Sequence, residues 1–113
     1  MVDKENNEKE YKMAEQMLFE KKFEDAYKLL NIIIEKNSSY SMNAKFRLGQ
    51  MYYHGSFVKQ DGEKAYEYFS QASNHPKANY YLGLMYYYGF YLKKVKSLNL
   101  RLFLMNFQEK NLL

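Results

Sequence analysis

The sequence predicts an all-α protein, a solenoid built from stacked helix hairpins. Three observations carry this expectation. The chain repeats itself at a fixed period, its apolar residues recur at helical spacing, and its 113 residues include one Pro and five Gly, too few for a turn-rich β fold. The repeat is direct: Ala44-x-x-x-Leu48-Gly49-x-x-Tyr52-Tyr53-x-Gly55 recurs as Ala78-x-x-x-Leu82-Gly83-x-x-Tyr86-Tyr87-x-Gly89, every pair 34 residues apart. Six coincidences at one offset in so short a window do not arise by chance. A unit of this length cannot bury its own apolar face and must stack on a neighbour.

The elements follow in chain order. In residues 7–36, Ala14, Met17 and Leu18 line a first helix, Lys21 and Lys22 mark a short turn, and Ala26, Leu30 and Ile33 line a second. Ala44, Leu48 and Tyr52 fall at i, i+4 and i+8, one face of a third helix, which Gly55 should end as a left-handed cap. A loop around residues 56–60 leads to Asp61 and Lys64, the start of a fourth helix whose stripe is Ala65, Phe69 and Ala72. Pro76 suits the first turn of a fifth, with Asn74 or His75 before it; Ala78, Leu82 and Tyr86 form its face and Gly89 its expected end. Gly49 and Gly83 sit inside helices at a cost of about 1 kcal/mol each, a cost explained by close approach of a second helix backbone. Residues 90–113 lose the pattern. Leu98, Leu100, Leu102 and Leu104 alternate like a strand, whereas Leu98, Leu102 and Met105 suit a helix. A degenerate cap and a truncated or frame-shifted end of a longer array both fit this segment.

Composition removes several functions. With no Cys there is no disulfide scaffold, Cys-ligated zinc or thiol nucleophile. The net charge of +4 is spread as a gradient, −3 over residues 1–35, +3 over 36–88 and +4 over 89–113. Its 17 bases include only two Arg, the residue that specific nucleic-acid readers favour, so a nucleic-acid partner is not expected. The charged start MVDKENNEKEYK has no secretory character, and the longest strongly apolar run, Leu102–Met105, is four residues. No membrane span is expected, and a cytoplasmic location is. His54 and His75 lack a metal-ligand spacing and read as cap or surface residues; neither a metal nor a cofactor is expected. Ser56-x-x-Lys59 matches a β-lactam-enzyme motif in form, without the S-D-N and K-T-G that accompany it.

Leu48-Gly49-x-x-Tyr52 followed by Ala65-x-x-x-Phe69-x-x-Ala72 resembles the tetratricopeptide pattern. Gly49 to Ala65 is 16 residues, four more than in that pattern. The longer loop, with Gly55, Val58, Asp61 and Lys64 in place, is similar to the SEL-one-like repeat, a longer-looped relative. Ala14 to Ala26 is 12, so residues 7–36 resemble an ordinary tetratricopeptide hairpin. The resemblance implies a right-handed α/α solenoid: one domain over residues 1–113, with a hairpin at 7–36, a SEL-one-like repeat at 42–75 and the first helix of another at 76–89. Some cysteine-rich SEL-one-like proteins are linked to β-lactam binding; this chain lacks those cysteines.

The resemblance also implies that first helices line a concave surface that contacts partners. If Ala44, Leu48 and Tyr52 face the partner helix, Phe46 and Gln50 point about 200° away and Tyr53 about 100° beyond the seam. Stacked units would then align Tyr11, Phe46 and Tyr80 in one row, Glu15 and Gln50 in a second, and Tyr53 and Tyr87 in a third. Exposed aromatics bury much area at low entropy cost, which suits a binding surface. The expected function is a non-catalytic adaptor that binds a protein or peptide segment on Tyr11, Glu15, Phe46, Gln50, Tyr53, Tyr80 and Tyr87. The alternatives are a fragment of a longer array that self-associates through its C-terminal end and, remotely, a β-lactam-binding hydrolase using Ser56 and Lys59.

Overall fold

The computed structural model describes residues 2–88. The described residues form five helices in sequence: α1 (Val2–Phe19), α2 (Phe23–Glu35), α3 (Ser41–His54), α4 (Gly62–Gln71) and α5 (Pro76–Tyr87). Helices α1 and α2 form one hairpin, α3 and α4 a second, and α5 packs on α4 as the start of a third. Expectations for Gly89 and residues 90–113 lie outside the described residues.

Local chemistry sets the boundaries. Lys21 turns the chain at φ 62°, and Glu10 pairs with Lys36 at 2.8 Å to hold the end of α2 against the middle of α1. Gly55 ends α3 at φ 75°, where any other residue would be strained. The loop then folds back on the last turn of α3. The N–H groups of Gly55 and Ser56 donate to the Met51 carbonyl, that of Asp61 to Tyr52, and the Gln60 side chain to Tyr53, so the Tyr52 and Tyr53 carbonyls that the helix end would leave orphaned are satisfied. Asp61 is the N-cap of α4 and accepts from the Lys64 N–H at 3.1 Å. His75 caps α5 through Nδ1, with Pro76 at its first position.

The core has two connected parts. Tyr11, Ala14, Leu30, Ile33, Ala44, Leu48 and Met51 join the first hairpin to one side of α3. Phe46, Tyr52, Ala65, Phe69, Ala72, Ala78, Leu82 and Met85 join the other side of α3 to α4 and α5. Tyr27, Val58 and Tyr68 touch both parts, and the Tyr27 and Tyr52 hydroxyls meet at 3.0 Å between them.

Helix α3 is therefore buried on two sides, and this corrects the expectation of a single inward face. Ala44 and Leu48 pack on the first hairpin, while Phe46, two residues along, is fully buried against α4 and α5. A middle helix of a stack has two neighbours, so a 100° apolar stripe is not enough to cover its contacts. Tyr11 is buried for a related reason, against the first hairpin's own core beside Tyr40. Tyr86, expected in the core, is only half-buried. The close approach at Gly49 comes from the Phe69 ring rather than a helix backbone: a Cβ there would lie 2.6 Å from its edge.

Candidate functional site

The first helices of successive units, α1, α3 and α5, lie side by side, and polar side chains bridge them. Arg47, one turn along α3 from the buried Ala44, is the centre of this seam. Its Nη2 donates to Glu15 of α1 at 2.8 Å, its Nε to the Tyr11 hydroxyl at 3.3 Å, and its Nη1 to Gln50 at 2.9 Å. Gln50 in turn donates to the Tyr81 hydroxyl of α5 at 3.1 Å, and His54 Nε2 lies 3.4 Å from the same oxygen. A single hydrogen-bonded line thus crosses three helices.

The electrostatics follow from this arrangement. Burial works against the Arg47 charge, but the bonds to Glu15 and Tyr11 outweigh it and leave the guanidinium pKa raised. Burial likewise pushes the Tyr11 hydroxyl up, against the lowering effect of Arg47. The Tyr53 hydroxyl is also raised, by burial first and by its neighbour Tyr81 second. All these phenols stay neutral at physiological pH and act as hydrogen-bonding groups.

Beside the seam is a cleft of about 170 Å³ between the α1–α2 turn and the end of α3. Leu18, Phe23 and Met51 form its apolar wall, and Arg47, Gln50, His54 and Ser56 its polar lining. Among the described residues no cluster of three or more His, Asp or Glu could hold a metal ion.

The seven residues expected to bind a partner divide into three groups. Tyr11 and Phe46 are core residues, the latter under the His75 ring at 4.2 Å. Glu15 and Gln50 are half-buried members of the seam, and Tyr53 is half-buried beside Tyr81, ring centres 5.1 Å apart. Tyr80 and Tyr87 are 53% and 66% exposed on α5. The difference between Phe46 and its repeat partner Tyr80 is positional. Helix α5 covers Phe46, and among the described residues no helix covers Tyr80 in the same way. Sequence reasoning missed Arg47 and Tyr81. They are themselves 34 residues apart, so the repeat offset that aligned Phe46 with Tyr80 could have found them.

The profile of the Sel1 repeat family matches the chain twice, over residues 43–75 and 76–104, together more than half of its length. No curated protein and no solved structure matches it. The first match spans α3, the folded-back loop and α4, and the second begins at Pro76 with α5. Hairpins stacked on one another, a seam joining their first helices and two successive repeat matches lead to one assignment: the chain belongs to the Sel1 repeat family, right-handed α/α solenoids whose repeats are scaffolds that generally mediate protein–protein interactions.

Proposed function

We propose that the protein is a non-catalytic adaptor that holds a peptide or protein segment along the surface formed by α1, α3 and α5. The seam carries this reading. Its bonds fix three first helices relative to one another, so a partner lying across them meets a surface already ordered, and less entropy is lost on binding. Half-buried Glu15, Gln50 and Tyr53 belong to this surface, while Tyr11 and Phe46 support it from beneath. No helix among the described residues is long and apolar enough to cross a membrane, and a cytoplasmic adaptor is the setting we propose.

A second reading places the contact on α5. Tyr80 and Tyr87 occupy the repeat positions of Phe46 and Tyr53, which α5 covers one unit earlier, and they are exposed. Such a face suits stacking against a further unit or a second copy of the chain. One comparison separates the readings. Affinity capture from a lysate should survive Tyr80→Ala with Tyr87→Ala and be lost on Gln50→Glu. The reverse pattern, accompanied by loss of concentration-dependent self-association in the tyrosine variant, would assign the contact to α5.

A further inference from the structure

Successive units of the stack are joined by one recurring pair, an aromatic ring and an aliphatic side chain. Tyr11 of α1 shares a core with Leu48 of α3, and Phe46 of α3 shares one with Leu82 of α5. The three rings that stacking aligns, Tyr11, Phe46 and Tyr80, are each followed two residues later by Met13, Leu48 and Leu82. Two residues on a helix are about 200° apart. The ring therefore turns to the following unit and the aliphatic side chain to the preceding one. Leu48 and Leu82 are both buried, whereas Met13 is 54% exposed. Tyr80 is exposed too, and among the described residues no following helix offers it an aliphatic side chain. The series thus leaves one ring open on α5 and one aliphatic position open on α1.

The surfaces around these two residues are apolar and belong to the first and last elements of the described stack. Tyr27 of α2 meets Tyr52 of α3, and Ile32, five residues on, points about 140° from it, away from α3. Ile32 is 45% exposed and extends the surface that Met13 begins. On α5, exposed Tyr87 stands two turns beyond Tyr80, with half-buried Leu84 on the stripe between them. A terminal unit facing water ordinarily carries a polar outer face, and neither surface has one. Net charge is opposite on the two sides. Residues 1–35 carry −3 and the rest of the chain +7. Assigning Lys36 and Arg47 to the first hairpin, because they pair with its Glu10 and Glu15, still leaves −1 against +5.

We infer that the protein associates head to tail, the α1–α2 face of one copy covering the α5 face of another. Met13 then joins Tyr80 as Leu48 joins Tyr11 and Leu82 joins Phe46. The contact continues the internal stacking interface from one chain to the next, and a methionine sulfur against an aromatic ring is favourable in itself. Pairing either face with its own copy would bring like charges together and would repeat no contact found inside the molecule. A head-to-tail contact is heterologous and leaves a free face at each end, so it adds copies without closing. This inference rests on the α5 reading above and names the surface that meets α5.

The test is complementation between two variants of the full chain, followed by sedimentation velocity from about 10 μM to about 1 mM, the range of weak contacts. Met13→Lys with Ile32→Lys blocks the head; Tyr80→Glu with Tyr87→Glu blocks the tail. The parent should sediment faster as concentration rises, passing beyond a dimer. Each variant alone should remain a monomer, at least tenfold weaker in self-association. Their equimolar mixture should form a dimer and nothing larger, because one intact head and one intact tail remain. Circular dichroism checks that both variants are helical, and alanine at the same four positions replaces any charged pair that unfolds. A parent that stays monomeric, or a mixture that does, overturns the inference. A head variant that still self-associates overturns it as well but leaves the α5 reading standing, as a contact between two α5 faces. A tail variant that still self-associates removes both.

Discussion

Gly49 shows how one missing methyl decides a packing distance. An alanine would be the better helix former by about 1 kcal/mol. Its Cβ, however, would lie 2.6 Å from the edge of Phe69, a ring that is fully buried and stacked on Tyr81 at 4.9 Å. The ring cannot retreat without moving α5. Gly49→Ala should therefore destabilise the protein by about 1–3 kcal/mol, as read from urea melts; a variant more stable than the parent would show that the ring swings aside freely. Much of this was legible beforehand, because a glycine within a helical pattern already signals a close neighbour. The identity of that neighbour was not, since it depends on the rotamer of a residue 20 positions away. Phe57 gave no signal at all. It adopts φ 65° with its ring beside Tyr27, a conformation that costs a non-glycine residue about 1–2 kcal/mol and has no marker in sequence.

Helix α5 begins on a histidine, and its start is consequently sensitive to pH. His75 Nδ1 accepts the Lys77 N–H at 3.2 Å, which requires the neutral ring, and the ring stacks on Phe46 of α3. Burial first, then the nearby positive charges of Arg47 and Lys77, lower its pKa. The unfolded chain thus binds this proton more readily than the folded one. Stability from the cap is full above about pH 6.5 and falls as pH drops below it, through the interval down to the lowered folded value. The loss of stability between about pH 7.5 and about pH 5 should be smaller in His75→Asn, which caps without titrating; equal losses in both proteins would remove His75 from the account. The cap of α4 can be tested independently. Asp61→Ala removes the acceptor of the Lys64 N–H and should cost about 0.5–2 kcal/mol, with Asp61→Asn close to the parent in thermal melts. These starts were readable from the sequence, because Asp before a helix and Pro at its first turn have local causes. Burial around α3 was not, because one apolar stripe does not say how many neighbours a helix has.

The stack as a whole depends on contacts between units, and the family match, the hairpins and the seam describe one continuous body along α1 to α5. The site was only half legible at this level. Stacking of the units was expected to set Glu15 and Gln50 in one row, and an arginine outside the repeated motif, Arg47, bonds to both. Repetition reveals what successive units share, whereas the bonds that join unlike units come from residues in which they differ. Tyr81 occupies the position that Arg47 holds one unit earlier, and the two meet through Gln50.

The two-sided burial of α3 has a consequence for how the molecule comes apart. In a linear array, each unit has its own folding free energy, and coupling between neighbours decides whether they melt singly or together. Here Ala44 and Leu48 belong to one core and Phe46 and Tyr52 to the other, and all four lie on the same rigid rod. Fraying of the first hairpin exposes one flank of α3, and loss of α4 or α5 exposes the other. Neither event can proceed far while α3 stays helical, and α3 alone lacks the propensity to stay helical in water. Cooperativity is therefore concentrated in a single helix, and a change that merely loosens α3 reaches the first hairpin and α4–α5 at once.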